Sequence, residues 1–97
     1  MTANSKKNET ALYEAIGALK TPDEIRRFMA DLCTPGEIKS FAERWAIARL
    51  LDQGQSGYRE IALETGSSTT TVARVSRFLK QENYQGYRIV LDRLKSK

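Results

Sequence analysis

The sequence contains no histidine, and Cys33 is its single cysteine. One thiol can form neither an internal disulfide nor a zinc site, which fits a reducing cytoplasm. The absence of histidine removes the commonest general base and a frequent metal ligand. The 97 residues also lack a glycine-rich phosphate loop and an activated nucleophile. We therefore expect no enzymatic activity, no cofactor and no metal.

Long apolar runs are missing as well, because none approaches the roughly 20 residues of a membrane-spanning helix. The first ten residues, MTANSKKNET, lack the apolar core of a signal peptide. With 40% hydrophobic and 29% charged residues, the composition is that of an ordinary soluble globular chain. We expect a single cytoplasmic domain over residues 1–97, without membrane contact and with residues 1–8 disordered.

The chain carries an excess of positive charge, and this excess lies in its second half. The net charge is +4. Residues 1–54 hold eight basic and eight acidic residues, whereas residues 55–97 hold eight basic and four acidic ones. A polyanionic partner is the natural interpretation of this distribution, although an ordinary solvated surface can carry a charge of this size.

Two similar tetrapeptides mark helix starts in the first half. Thr21-Pro22-Asp23-Glu24 and Thr34-Pro35-Gly36-Glu37 each place a Thr N-cap before a Pro at the first helical position and a Glu at the third. They predict one helix over residues 22 to about 32 and a longer one over residues 35 to about 52. Gly54 ends the longer helix.

This longer helix is apolar on more than one side. Its apolar residues are Ile38, Phe41, Ala42, Trp45, Ala46, Ile47, Ala48, Leu50 and Leu51. A helix that is apolar nearly all round is buried on nearly all sides, and a chain of 97 residues has little mass to bury it. A homodimer with this helix near its centre is the simplest arrangement that would bury it. A compact monomeric bundle is the alternative.

The segment from Gly57 to Lys80 predicts a helix-turn-helix. It reads GYREIALETGSSTTTVARVSRFLK, with a short helical segment, a break at Gly66–Ser68 and a second helical segment from Thr69. The second segment opens with three Thr and then brings Arg74, Arg77 and Lys80, which suit base edges and phosphates. One of Ser67, Ser68 and Thr69 is expected to cap it. An αα-hairpin inside an ordinary bundle is the alternative interpretation.

Two further helices complete an expected total of six. Apolar spacing predicts the first from Glu9 to Leu19 and the last from Tyr84 to about Leu94, after a polar break at residues 81–83. Residues 95–97 are expected to be mobile. No strand or hairpin signal is found, so we expect an all-α fold.

The motifs of residues 31–94 resemble those of the bacterial Trp repressor family, and more closely its small YerC/YecD-type members from Gram-positive bacteria. The resemblance rests on Leu32-Cys33-Thr34-Pro35, Glu37, Arg44, Leu50-Leu51, Gly54, Arg59-Glu60-Ile61, Gly66, Thr71, Arg74, Ser76 and Leu79-Lys80. It implies an intertwined all-α homodimer in which the helix from Thr69 enters the major groove. Thr69, Thr70 and Ala73 would then face the bases, while Arg59 and Lys80 would reach the DNA backbone.

The expected DNA-binding residues are Tyr58, Arg59, Ser68, Thr69, Thr70, Thr71, Ala73, Arg74, Arg77 and Lys80. Two of them have a second interpretation. Tyr58 is as suited to packing as to DNA contact. Arg74 could contact phosphate, line a ligand pocket or pair with an acid such as Glu64.

The resemblance also implies an altered effector pocket. In Trp repressors two arginines sandwich the tryptophan indole, and their counterparts here are Arg44 and Arg74, with the capping Thr34 also kept. The family's Gly after the second arginine is Val75 here, and its Ser that meets the ligand's amino group is Phe78. Both changes remove room, and one removes a hydrogen-bond partner. We therefore expect that tryptophan is not the co-repressor. Arg44 then has a structural role, for example with Glu43.

The sequence thus predicts a dimeric, sequence-specific DNA-binding regulator, acting as a repressor on double-stranded operator DNA. The alternative is a dimeric protein-interaction module that uses the helix-turn-helix as scaffold. Charge reversal at Arg77 and Lys80 would distinguish them, because only the regulator needs those cations.

Overall fold

A computed structural model of the chain describes residues 3–81 and 83–96, and within them six α-helices and no strand. The predicted all-α, six-helix fold is therefore confirmed. The helices, in chain order, are α1 (Ala3–Ala18), α2 (Pro22–Leu32), α3 (Pro35–Gln53), α4 (Tyr58–Thr65), α5 (Thr69–Lys80) and α6 (Gly86–Lys95).

The two chain ends differ from expectation. Helix α1 already begins at Ala3, so the expected disorder of residues 1–8 is wrong for residues 3–8, while residues 1 and 2 lie outside the described part. At the other end, Lys95 closes α6 and its Nζ lies 2.7 Å from Asp52 Oδ2. The expectation of a mobile tail is therefore wrong for Lys95, and residue 97 lies outside the described part.

Both predicted Thr caps are present, with one difference between them. The Oγ1 of Thr34 accepts the N–H of Glu37 at 3.1 Å, and Glu37 Oε1 accepts the N–H of Thr34 at 2.8 Å, which is the reciprocal capping box. Thr21 likewise accepts the N–H of Glu24 at 3.1 Å. Glu24, however, accepts the N–H of Lys20, one residue before the cap. The second motif therefore fixes the start of α3 and the first fixes the start of α2.

Two compact units divide the chain, Met1–Ile38 and Lys39–Lys97. The second unit contains a hydrophobic core to which three helices each contribute two buried residues: Ile47 and Ala48 from α3, Ile61 and Ala62 from α4, Val72 and Val75 from α5. Leu79 and Leu91 are buried as well. The predicted stripe of Val72, Val75 and Leu79 thus faces the core and holds the helix-turn-helix against α3.

The first unit leaves several apolar side chains uncovered in the single chain. No residue of α2 is buried, and Ile16, Ile25 and Leu32 are each at least 44% exposed. Helix α3 buries only Ile47 and Ala48, and Phe41 remains 41% exposed. The burial of α3 on nearly all sides is therefore not reached within one chain, as expected for a helix near the centre of a homodimer, and the homodimer itself stays a prediction.

Candidate nucleic-acid interface

Helices α4 and α5 form the predicted helix-turn-helix, joined by a tight turn at Gly66–Ser68. Gly66 has φ +70° and ends α4 in the left-handed conformation, which suits a residue without Cβ. The Oγ of Ser68 accepts the N–H of Thr71 at 3.1 Å and caps α5. Ser68 is therefore the cap among the three candidates, and the turn is fixed by local chemistry.

Helix α5 has one buried face and one exposed face. Val72, Val75, Ser76 and Leu79 are buried. The exposed face consists of Thr69, Thr70, Ala73, Arg74, Arg77 and Lys80. The fold thus brings six of the predicted DNA-binding residues onto one surface, with hydroxyls at its N-terminal end and three cations along it. This arrangement can donate hydrogen bonds to base edges and to phosphate oxygens.

The remaining predicted DNA-binding residues have other surroundings. Thr71 is half-buried, and its Oγ1 lies 3.1 Å from the Oγ of Ser68, so both hydroxyls take part in the cap. Arg59 is exposed at the start of α4. The Tyr58 hydroxyl donates to Ser76 Oγ over 2.7 Å, which favours the packing interpretation of Tyr58 and ties the start of α4 to the buried face of α5.

The Phe78 ring lies at the edge of the exposed face, in contact with two cations. The guanidinium carbon Cζ of Arg74 lies over the ring, 4.6 Å from its centroid, and that of Arg77 lies 5.1 Å away. These distances fall within the range of a cation–π interaction. For Arg74, the structure therefore shows a ring contact within its own helix.

The residues of the expected effector pocket are distributed over several environments. Val75 is 1% exposed and belongs to the hydrophobic core. Arg44 lies over the ring of Phe41 at 5.1 Å, whereas Glu43 lies 4.0 Å from Lys39. Thr34 is engaged in its capping box. Of this set, Arg74 and Phe78 line a common space.

That space is a cavity of about 440 Å³ in the second unit, between α3, α5 and α6. Its lining is mostly aromatic and apolar, and it consists of Trp45, Arg74, Phe78, Tyr84, Gln85, Gly86, Tyr87 and Val90. The Trp45 and Tyr87 rings stack with centroids 6.4 Å apart. Sequence reasoning missed the contributions of Trp45 and Tyr87, because both read as ordinary apolar positions of amphipathic helices.

An ionic cluster connects α3 to α6 in the same unit. Asp52 contacts Arg88 at 2.5 Å and Lys95 at 2.7 Å, and its side chain is only 12% exposed. The hydrogen bond from Lys95 holds the pKa of the Asp52 carboxyl below its ordinary value of 3.8, against the opposing effect of burial. The nearby charges of Arg88 and Lys95 lower this pKa further. The cluster therefore fixes α6 to the end of α3.

Two features of other protein classes are absent from the part of the chain that the structure describes. Within residues 3–81 and 83–96, no helix is long and apolar enough to cross a membrane. In the same part of the chain, no three His, Cys, Asp or Glu side chains are grouped so that they could hold a metal ion.

Known proteins resemble this chain in sequence and in fold. The uncharacterized protein YerC of Bacillus subtilis strain 168 is 45% identical over 84 residues, which are 87% of this chain and 79% of YerC. A TrpR-like protein from Eubacterium eligens superposes with a TM-score of 0.83 at 39% identity, over 92% of this chain and 90% of that one. A proposed Trp repressor from Staphylococcus aureus gives 0.84 at 33% identity, over 100% of this chain and 98% of that one.

The match to the family described as "Trp repressor protein" extends over residues 7–95. It therefore includes α2 to α6 and residues 7–18 of α1. The chain belongs to the Trp repressor family.

Proposed function

We propose that this protein is a sequence-specific DNA-binding transcriptional regulator that acts as a homodimer, represses at operator DNA and does not use tryptophan as its co-repressor. The observation that carries the proposal is the exposed face of α5. It unites Thr69, Thr70, Arg74, Arg77 and Lys80 on the side of the helix opposite the core. Membership of a family of DNA-binding regulators supports the same conclusion.

Different residues on this face of α5 are suited to phosphate contacts and to base contacts. Arg74, Arg77 and Lys80 supply charge for phosphate contacts, which give most of the affinity and make it depend on salt. Thr69, Thr70 and the methyl group of Ala73 lie near the N-terminal end of α5, where a recognition helix meets base edges. The excess charge of residues 55–97 adds long-range attraction toward a polyanion.

A second copy of the chain is the partner that best explains the uncovered apolar side chains. Ile16, Ile25, Leu32 and Phe41 are exposed in the single chain, and apolar side chains left in water favour association with a partner that covers them. A two-fold dimer would also present two α5 helices, which is what two half-sites in successive major grooves require.

The absence of a tryptophan response is supported by two side chains. Val75 is packed into the core rather than leaving the open space of a glycine. The Phe78 ring lies beside the Arg74 guanidinium, at the position where the family has a serine. The Phe78 ring takes up room beside Arg74, the Val75 side chain belongs to the core, and neither offers a polar atom to a ligand's amino group.

Selection of bound duplexes from a random DNA pool is the direct test of the proposed function. We expect one enriched motif made of two half-sites at moderate salt. Enrichment of no sequence over random DNA would refute the sequence-specific regulator. The double substitution Arg77→Glu and Lys80→Glu is the companion variant, and we expect it to abolish the enrichment. If the pool shows no enrichment but the protein captures a protein partner regardless of that charge reversal, the interaction-module alternative replaces the regulator.

A further inference from the structure

Phe78 is the only aromatic side chain of α5. Its ring contacts Arg74, four residues earlier, and Arg77, one residue earlier. The Cζ atoms of Arg74 and Arg77 lie 4.6 and 5.1 Å from the ring centroid. The ring is half-buried, whereas both arginines are exposed. Two of the three cations on the exposed face of α5 therefore lie against one half-buried ring.

This contact restricts two long side chains before any ligand arrives. An arginine free in solvent samples many rotamers, and binding must reduce that freedom at a cost in affinity. A guanidinium held over an aromatic face has already lost part of this freedom, and its N–H donors at the rim remain able to bind an anion. The negative face of the ring also offsets the repulsion between two neighbouring cations.

We propose that Phe78 is a positioning residue for DNA binding, which holds Arg74 and Arg77 in the orientation that meets the phosphate backbone. This inference rests on the proposed function, because it names how that function's arginines are preorganised. It gives Phe78 a role beyond filling space beside Arg74, since the ring acts through two charged neighbours. Phe78 itself touches no base or phosphate in this role.

The first test needs no DNA. Because the Cζ atoms of Arg74 and Arg77 lie within 5.1 Å of the ring centroid, we expect the ring current of Phe78 to shift their Nε–H resonances in ¹H–¹⁵N NMR spectra of the full-length protein. We expect Phe78→Leu to move both resonances toward the values of a solvated arginine and Phe78→Tyr to keep them near the wild-type positions. If both resonances stay unchanged in Phe78→Leu, the ring does not hold the arginines and the proposal is overturned.

The second test measures affinity for the selected duplex by fluorescence anisotropy over a series of salt concentrations. We expect Phe78→Leu to weaken binding roughly fivefold, the size of one or two exposed cation–π contacts. Phe78→Tyr retains the ring, so we expect near wild-type affinity. Tyr84→Leu removes an exposed ring from the connection between α5 and α6. It serves as the matched control, and we expect it to leave the affinity unchanged.

A double-mutant cycle separates positioning from a loss of fold. In the Arg74→Ala and Arg77→Ala background, Phe78→Leu has no arginine to position, so we expect its effect on affinity to vanish. If Phe78→Leu lowered the affinity equally with and without the arginines, the proposal would be overturned and the role of Phe78 would be structural. Urea unfolding of Phe78→Leu would then show reduced stability. If the wild-type protein bound no duplex above background, the proposed function would fail first. A wild type that binds but shows no coupling refutes only the role of Phe78.

Discussion

Thr70 and Lys80 lie on the same exposed face of α5 but near its opposite ends, and their side chains differ in what they can recognise. A threonine hydroxyl near the N-terminal end can contact a base edge, whereas a lysine at the C-terminal end offers a point charge to phosphate. We expect Thr70→Ala to relax discrimination at one base pair by about 1–3 kcal/mol. We expect Lys80→Ala to weaken all duplexes to a similar degree and to reduce the salt dependence.

Competition binding with the selected duplex and single-base variants of it checks both substitutions. Thr69→Ser is the control at the neighbouring position, because it keeps a hydroxyl at the start of α5. The assignment of roles would be wrong if Lys80→Ala changed the ranking of sequences, or if Thr70→Ala lowered every affinity equally.

Val75 and Phe78 lead to a prediction about ligands. The Phe78 ring takes up room beside Arg74, the Val75 side chain belongs to the core, and neither can accept a hydrogen bond from an ammonium group. We therefore expect isothermal titration calorimetry of the protein with L-tryptophan to show no binding in the micromolar range. We also expect the amino acid to leave affinity for the selected duplex unchanged. Micromolar binding would contradict this expectation and would indicate that the 440 Å³ cavity lined by Arg74 and Phe78 accepts the indole.

Tyr58 shows what sequence reasoning left open at the scale of single residues. The sequence places Tyr58 at the start of the helix-turn-helix, where DNA contact and packing are both reasonable. The structure shows its hydroxyl 2.7 Å from the buried Ser76, eighteen residues away. No local pattern connects these positions, because the bond depends on how α4 and α5 pack. The same holds for the stacking of Trp45 on Tyr87.

The Tyr58–Ser76 bond can be tested as a contribution to stability. Tyr58→Phe removes the donor and leaves the Ser76 hydroxyl, which is 5% exposed, without this partner. We expect the free energy of unfolding to fall by about 1 kcal/mol. Urea denaturation measures the change, and Tyr84→Phe, which alters an exposed tyrosine, is the control. The Tyr58→Phe/Ser76→Ala double variant is expected to lose little more than Tyr58→Phe alone, and additive losses would contradict a direct interaction.

At the scale of elements, helix boundaries were predictable wherever a residue acts through local chemistry. Pro22 and Pro35 open α2 and α3 after their Thr caps. Gly54 and Gly66 have positive φ and follow the ends of α3 and α4. The side chain of Ser68 caps α5. The boundaries failed where such signals are absent. Helix α1 begins six residues earlier than expected, in a polar stretch. Helix α6 begins at Gly86 rather than Tyr84, because Gln85 adopts a left-handed conformation with φ 57°.

The connection of α3 to α6 through Asp52 predicts a specific acid sensitivity. Because the folded-state pKa of Asp52 lies below its ordinary value of 3.8, its ionised form stabilises the fold. This contribution is fully present above that ordinary value and is lost as the pH falls through the lower, folded-state pKa. We expect Asp52→Asn to reduce stability at neutral pH and to flatten the fall in stability below about pH 4.

Thermal unfolding of wild type and Asp52→Asn between neutral and acidic pH measures this difference. Asp23→Asn is the control, because it removes the carboxylate of an ion pair with Arg26 in which both side chains are at least 63% exposed. Exposed pairs contribute little to stability, so we expect Asp23→Asn to retain the wild-type pH profile. A parallel pH profile for Asp52→Asn would refute the stabilising role of the cluster.

At the scale of the whole molecule, the apolar surface that one chain leaves uncovered predicts its assembly. The sequence shows that α3 is apolar nearly all round, but it cannot show which sides one chain covers. The structure shows that the covered part is small and that apolar side chains of α1, α2 and α6 are exposed too. Exposing this many apolar side chains to water is costly. We therefore expect a dimer of twice the 11.0 kDa chain mass at micromolar concentration.

Size-exclusion chromatography with multi-angle light scattering tests this assembly. Phe41→Glu places a charge within the uncovered apolar surface of α3, and we expect it to shift the protein toward the monomer because an unpaired charge is costly in an interface. Leu63→Glu makes the same type of change on α4, where Leu63 is 85% exposed, and we expect it to leave the dimer intact. An 11.0 kDa wild-type species would contradict the dimer. We also compare the affinities of the Phe41→Glu monomer for the two-half-site duplex and for a single half-site. Equal affinities would show that DNA recognition depends on dimerisation, because only a dimer presents two α5 helices at once.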